Sequence, residues 1–217
     1  MPLLSFKSQD INTSYAVWGV TESEQDLKSR LELTKIQRRK FSKIKSESNR
    51  KSWLASRISA VTLLKHHQYD FKSLDEDFEG NFFLKNGVQI YMSMSWVGEY
   101  VVCCLDKERP IGVEIDCPGE KFYKKRHSYL GDNDYYIDTK DREKLCFYYL
   151  SKKAAIKAYS VKNCFLKYNI QIDSSPMGLH DTINGYVYNE PFTSKCYRMG
   201  SFHMVICRRL IKWFFSH

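Results

Sequence analysis

No stretch of this 217-residue chain approaches the run of about 20 apolar residues that a bilayer-crossing helix needs. The first ten residues, Met-Pro-Leu-Leu-Ser-Phe-Lys-Ser-Gln-Asp, have neither the basic start nor the apolar core of a secretion signal. A cytoplasmic location is therefore the expectation. The seven cysteines, at 103, 104, 117, 146, 164, 196 and 207, are odd in number, scattered and without C-x-x-C spacing. That pattern excludes a disulfide framework or a cysteine zinc site and predicts reduced, mostly buried thiols. The six histidines, at 66, 67, 127, 180, 203 and 217, show no metal-ligand spacing either. No nucleic-acid-binding motif and no internal sequence repeat are present.

What the chain has is positive charge, with a formal net value of +9. Such a balance suits an anionic partner: a nucleotide-like cofactor, an acidic protein, nucleic acid or a membrane surface. It also describes an ordinary solvated basic surface. At 43% hydrophobic residues, the chain can bury one sizeable core or two small fused ones, and the 15% of aromatic residues are expected mainly there.

Periodicity divides the chain into elements. Tyr15-Ala-Val-Trp-Gly-Val20 reads as a strand. Thr21 with Glu24, and Thr34 with Gln37, have capping-box spacing and predict helices near 22–32 and 35–45. A longer helix follows over 47–66, with Trp53, Leu54, Ile58, Val61 and Leu64 on one face and Arg50, Lys51 and Arg57 on the other. His66-His67 ends it, where partial positive charge is favourable. Short strands are predicted at 81–84, 89–93, 100–105 and 111–115, with turns at Gly80, Asn86-Gly87 and 106–110. The segment 118–137 lacks clear period and reads as partly helical. A helix spans 139–159, strands return at 165–173, 185–189, 195–199 and 202–207, and the tail 208–215 is basic and aromatic. The order strand, helices, antiparallel strands thus occurs twice.

The most informative stretch runs from Ile111 to Lys157. Residues two apart share a strand face, so Glu114 and Asp116 in Gly112-Val-Glu-Ile-Asp116 present two carboxylates side by side. Lys153 and Lys157, four apart in a helix, share a face as well. Carboxylates beside a lysine-lined helix are suited to a divalent cation and a polyphosphate. The pattern resembles the signature of the 4′-phosphopantetheinyl transferase superfamily, a G-[IV]-D-[IV]-E strand followed by a W-x-x-K-E-A-x-x-K helix, here Tyr149-x-x-Lys152-Lys153-Ala154-x-x-Lys157. Lys45-Ser-Glu-Ser-Asn-Arg-Lys-Ser-Trp-Leu-Ala-Ser-Arg57 resembles the family's R-x-x-W-L-A-x-R helix. Gly80-Asn-Phe-Phe-Leu84 stands where members carry G-K-P-Y-L, and Ser93-Met-Ser95 where they carry S-H-S.

The resemblance implies an α+β fold of two pseudo-twofold-related halves, 1–107 and 108–217, each a small antiparallel sheet packed against a long helix, with the cofactor in a cleft between them. It implies transfer of phosphopantetheine from coenzyme A to a serine of an acyl or peptidyl carrier protein, by a monomer, with Mg²⁺ bridging carboxylates and pyrophosphate. Carried over by position, Glu114, Asp116, Lys153 and Lys157 take the catalytic places, Glu114 and Asp116 the metal-ligand places. Arg50, Lys51, Arg57, Ser93, Met94, Ser95 and Lys157 take the coenzyme A side. The departures are specific. The two strand acids are exchanged, Lys153 replaces the helix Glu, Met94 the His of S-H-S, and Asn81 and Phe82 the Lys and Pro of G-K-P. Lys153 is expected to occupy the metal's place and to pair with Glu114 and Asp116. Three readings follow: a divergent transferase with activity reduced or lost, a non-catalytic binder of coenzyme A or carrier protein, and a basic nucleic-acid or anionic-surface binder using 36–51, Lys121-Phe-Tyr-Lys-Lys-Arg-His127 and the tail.

Overall fold

Each half of the chain closes its own sheet around its own long helix. The structure is a computed structural model that describes residues 3–8, 10, 12–70, 74–76, 82–84, 90–134, 137–173 and 182–210. The chain divides into two compact units, Met1–Glu108 and Arg109–His217, and both are α+β.

In the first unit β1 (Leu3–Ser8), β2 (Thr13–Gly19), β5 (Tyr91–Val97) and β6 (Tyr100–Asp106) form an antiparallel sheet in the order β1-β2-β6-β5. A separate two-stranded ribbon joins β3 (Leu74–Glu76) to β4 (Phe82–Leu84). Strand β1 carries no pattern that was legible beforehand. The expected strands at 81–84 and 89–93 appear as β4 and β5; Asn81 and Gln89 themselves, like Gly80 and Asn86-Gly87, lie outside the described residues.

Helices α1 (Glu24–Ser29), α2 (Lys35–Ser42) and α3 (Glu47–His66) follow β2. The Thr34–Gln37 capping box forms in full at α2. The Thr21–Glu24 box does not: α1 is capped instead by Ser23, whose hydroxyl accepts the Asp26 N–H at 3.1 Å and donates to the Asp26 carboxylate at 2.6 Å. Ser23 sits one residue before the first helical position, where a cap must be.

Helix α3 is buried on more than one face. Trp53, Leu54, Leu63 and Leu64 pack toward the sheet, each stabilising by about 1.5–3 kcal/mol. Ser56 and Ser59 are buried too, because their hydroxyls bond back to Trp53 O at 2.7 Å and Ala55 O at 2.9 Å. Self-satisfied serines let the chain approach where free hydroxyls could not. At the helix end the His67 ring meets the Ser14 hydroxyl at 2.6 Å.

The second unit repeats this plan. β7 (Ile111–Asp116), β11 (Phe202–Arg209), β10 (Glu190–Met199), β9 (Thr182–Val187) and β8 (Ile170–Ile172) form an antiparallel sheet in that order. As β2 pairs with β6 and β6 with β5, so β7 pairs with β11 and β11 with β10. Helix α5 (Arg142–Tyr159) lies against β7 and β11, capped by Asp141, whose carboxylate accepts the Lys144 N–H at 2.9 Å. Segment 118–137 contains α4 (Glu120–Lys124) and two short 3-10 turns, Arg126–Ser128 and Asp132–Asp134. The strand expected over 165–173 is shorter. Leu166–Asn169 forms one helical turn, α6, locked by the Asn169 side chain accepting the Phe165 N–H at 2.8 Å, and only Ile170–Ile172 extends. Arg208 and Arg209 end β11, and 211–217 of the basic tail lie outside the described residues.

Gly112 decides how closely β7 and α5 approach. A β-carbon there would lie 1.9 Å from the Ala154 carbonyl oxygen and 2.8 Å from the Ala158 nitrogen. Among the described residues no helix is long and apolar enough to cross a membrane.

The thiols are free, and five of the seven are buried. Burial pushes the Cys207 thiol up to about 12 against an ordinary 9.0, with its Ser194 contact pulling the other way. The unfolded chain loses that proton first as pH rises. This part of the stability is complete below pH 9 and is lost between 9 and about 12. The urea midpoint is expected to fall across that window, and Cys207→Ala to flatten the fall.

Candidate functional site

Strand β7 exposes its second face to helix α5 through Gly112, Glu114 and Asp116, the alternate residues of a pleated strand. The missing β-carbon at Gly112 brings the α5 backbone in, and one turn along, the Lys157 ammonium reaches Glu114 Oε1 at 3.1 Å. The same ammonium donates to the Val113 carbonyl at 3.0 Å. Asp116 accepts the Cys117 N–H at 2.8 Å and forms an ion pair with Lys121 from α4. The cations that close on the two carboxylates are thus Lys157 and Lys121. The expectation that Lys153 takes that place is corrected. Four residues before Lys157 on α5, its charge acts on the Tyr149 phenol instead.

Tyr149 sits in the middle of the cluster. Burial raises its phenol above the ordinary value; Lys153 and Lys121 oppose that rise, and Glu114 and Asp116 add to it. The Lys125 ammonium lies 3.8 Å from the Tyr149 ring centre and 4.8 Å from that of Phe122. Burial lowers its pKa, with Asp116 pulling it back up. Lys121 and Lys157 thus pair with the two carboxylates, Lys125 lies over the Tyr149 ring, and the charge of Lys153 acts on its phenol.

This donor set does not suit Mg²⁺. The ion favours oxygen ligands in near-ideal octahedral geometry, yet both carboxylates already hold an ammonium, and the third position of the motif is itself Lys153. Among the described residues no three His, Cys, Asp or Glu side chains gather as a metal-ligand group.

The first lysine of that helix pattern has a different role. Lys152 is fully buried; its ammonium donates to Asp134 Oδ2 at 2.8 Å and to the Tyr129 carbonyl at 2.7 Å. Asp134 also accepts the Gly131 N–H at 2.7 Å. Burial lowers the Lys152 pKa and Asp134 counteracts it. No sequence signal points to this pair, because Asp134 lies in the aperiodic segment.

In the first unit the expected coenzyme A residues are dispersed. Arg50 is committed to Glu24 at 2.7 Å and to the Lys45 carbonyl at 2.9 Å. Lys51 lines a cavity of about 260 Å³ together with Glu47, Ser52 and Glu99. Arg57, assigned beforehand to a polar helix face, is only 7% exposed: its guanidinium stacks 3.7 Å from the Trp53 ring centre and donates to Ser56 Oγ at 2.9 Å. It borders a second cavity, also about 260 Å³, with Arg30 and Lys65 as further cations, Glu32 as the acid and leucine walls. On β5, Ser93 and Ser95 are buried on one face while Met94 packs on the other against the Ala60–Leu63 cluster. Met94 is therefore a core contact, where a histidine would have been a donor.

No protein-family profile and no curated protein sequence matches the chain.

Proposed function

We propose that the chain is a cytoplasmic, monomeric phosphopantetheinyl transferase-like protein that binds coenzyme A without a divalent metal, with phosphoryl transfer to a carrier serine lost. The observation that carries this reading is the pairing of both strand carboxylates with lysines, Glu114 with Lys157 and Asp116 with Lys121. Two further ammonium groups, Lys125 and Lys153, leave the cluster with excess positive charge that a pyrophosphate can neutralise. The transition state of a transfer reaction needs charge stabilisation in fixed geometry, and each lost donor of that kind costs about 2.7–4 kcal/mol. The motif has lost its helix carboxylate at Lys153 and its histidine at Met94.

Two other features support the reading. The cavity at Arg57 combines three cations with leucine walls, the chemistry of a phosphate beside an apolar ring. Helix α4 presents an aromatic ring, Tyr123, covered by cations of the following turn and of α5. Arg126 and Arg142 both lie on Tyr123, at 4.0 and 4.1 Å from its centre, an ordered basic surface for an acidic carrier helix.

The test is thermal denaturation with coenzyme A, with and without Mg²⁺. A ligand held only by the folded state at 100 times its dissociation constant adds about 2.7 kcal/mol. That stabilisation is expected without Mg²⁺ and unchanged by it, and an apo carrier protein is expected to acquire no label from fluorescent coenzyme A. Stabilisation that requires Mg²⁺, labelling of the carrier, or no stabilisation at all would each overturn the proposal.

A further inference from the structure

The edge of the second sheet carries a cluster that the carboxylate–lysine site does not use. Tyr168, Tyr186 and Tyr188 are 70%, 44% and 49% exposed. With Asn169, Gln171 and Asn189 they line a cavity of about 210 Å³. Among the described residues the lining is three phenol rings and three amides, without a Lys, Arg, His, Asp or Glu, in a chain of net charge +9.

Local structure holds these groups in place. Gln171 on β8 stands opposite Tyr186 on β9 in the strand register. Asn169 is fixed by accepting the Phe165 N–H through its side chain, and its carbonyl accepts the Tyr188 N–H at 3.0 Å. Tyr188 and Asn189 form the two-residue turn between β9 and β10, with φ of 49° and 75°. Such a turn favours Asn-Gly. Asn189 fits it, whereas an aromatic side chain in the left-handed region is an outlier. The Tyr188 ring gains little burial in return, since it is half exposed. The Tyr188 hydroxyl meets the Cys164 side chain, which ties the ring to the rim of the cavity.

We propose that this pocket binds a neutral carbohydrate. The C–H face of a sugar ring packs on exposed aromatic faces, and paired hydroxyls match side-chain amides, which both donate and accept. Among the described residues the lining offers no cation for a phosphate-bearing ligand. Lys167, whose ammonium lies 5.4 Å from the Tyr168 ring centre, stands beside the pocket rather than in its lining.

The test is affinity electrophoresis of the full chain through native gels containing amylose, a soluble β-glucan or glycol chitin. Retardation by at least one of these is expected, weakened about tenfold or more by Tyr168→Ala and by Tyr186→Ala. Both rings are exposed, so circular dichroism of these variants is expected to match the parent. Lys153→Glu is expected to leave the retardation unchanged, so that failure of the coenzyme A reading and failure of this one are separable. No retardation in any gel, or retardation indifferent to both tyrosine substitutions, overturns the proposal. So does a single-stranded RNA or a proline-rich peptide that binds through these tyrosines where the polysaccharides do not.

Discussion

Lys152→Ala is expected to destabilise the second unit by about 3–5 kcal/mol, read as a lowered urea midpoint. The substitution removes an ammonium that is 0% exposed and leaves Asp134, whose side chain is 3% exposed, with a buried charge that lacks its counter-ion. It also strips the hydrogen bond from the Tyr129 carbonyl. Most of the loss comes from the stranded carboxylate and not from the pair's own attraction, because two charges taken from water recover little net stability by meeting. The double variant Lys152→Met with Asp134→Leu separates the two effects. If the stranded charge dominates, it recovers most of the midpoint; if it is as unstable as Lys152→Ala, the electrostatic account is wrong and local packing is responsible.

Gly112→Ala is expected to have an effect of similar size through sterics. The added carbon would lie 1.9 Å from a helix carbonyl oxygen. Overpacking with flexible side chains costs about 1–3 kcal/mol. Here the obstacle is backbone, so the loss is expected at or above the top of that range. The strand and α5 would have to part, and the Glu114–Lys157 pair would open with them. Urea unfolding with Gly112→Ala against Val113→Ala as a packing control measures it. A midpoint drop smaller than the control's would show that the strand and helix can shift at little cost. The same observation explains why a glycine begins the strand motif: the position is dictated by the distance between two backbones, not by the chemistry of the neighbouring acids.

How legible the molecule was in its sequence depended on range. Period and caps placed α2, α3 and α5 and the strands β2, β5, β6, β7 and β11, because those signals act over a few residues. Their order agreed with the α+β class that the family resemblance implied, and the structure is α+β. The alternation of β7 put Glu114 and Asp116 on one face, and the i, i+4 spacing placed Lys153 and Lys157 together, as expected. What the sequence concealed was which charge meets which. Lys153 and Lys157 are equivalent in pattern, and only the approach of α5 to β7 at Gly112 selects Lys157. Lys121 belongs to α4, in a segment without period, and Asp134 to the same segment. Arg57 looked like a surface residue because it is charged; stacking on Trp53 is what buries it. The tyrosine pocket was invisible for a related reason: part of it lay in a stretch that read as strand but folds as a helical turn.

The strand order within each unit also governs when the fold can form during synthesis. Strand β2 is made early, yet its partner β6 comes about 90 residues later, as the pairing of Thr13 with Asp106 shows. In the second unit β7 waits in the same way for β11, which pairs with it from Ile111 to Asp116 and with β10 on its other side. The strand made last is therefore internal to its sheet, and the carboxylates of β7 acquire a strand neighbour only once it emerges. A chain halted before Phe202 would retain every strand of the first unit but leave β7 without its ladder. A nascent chain arrested there is expected to show a protease-resistant first unit and a digestible second one.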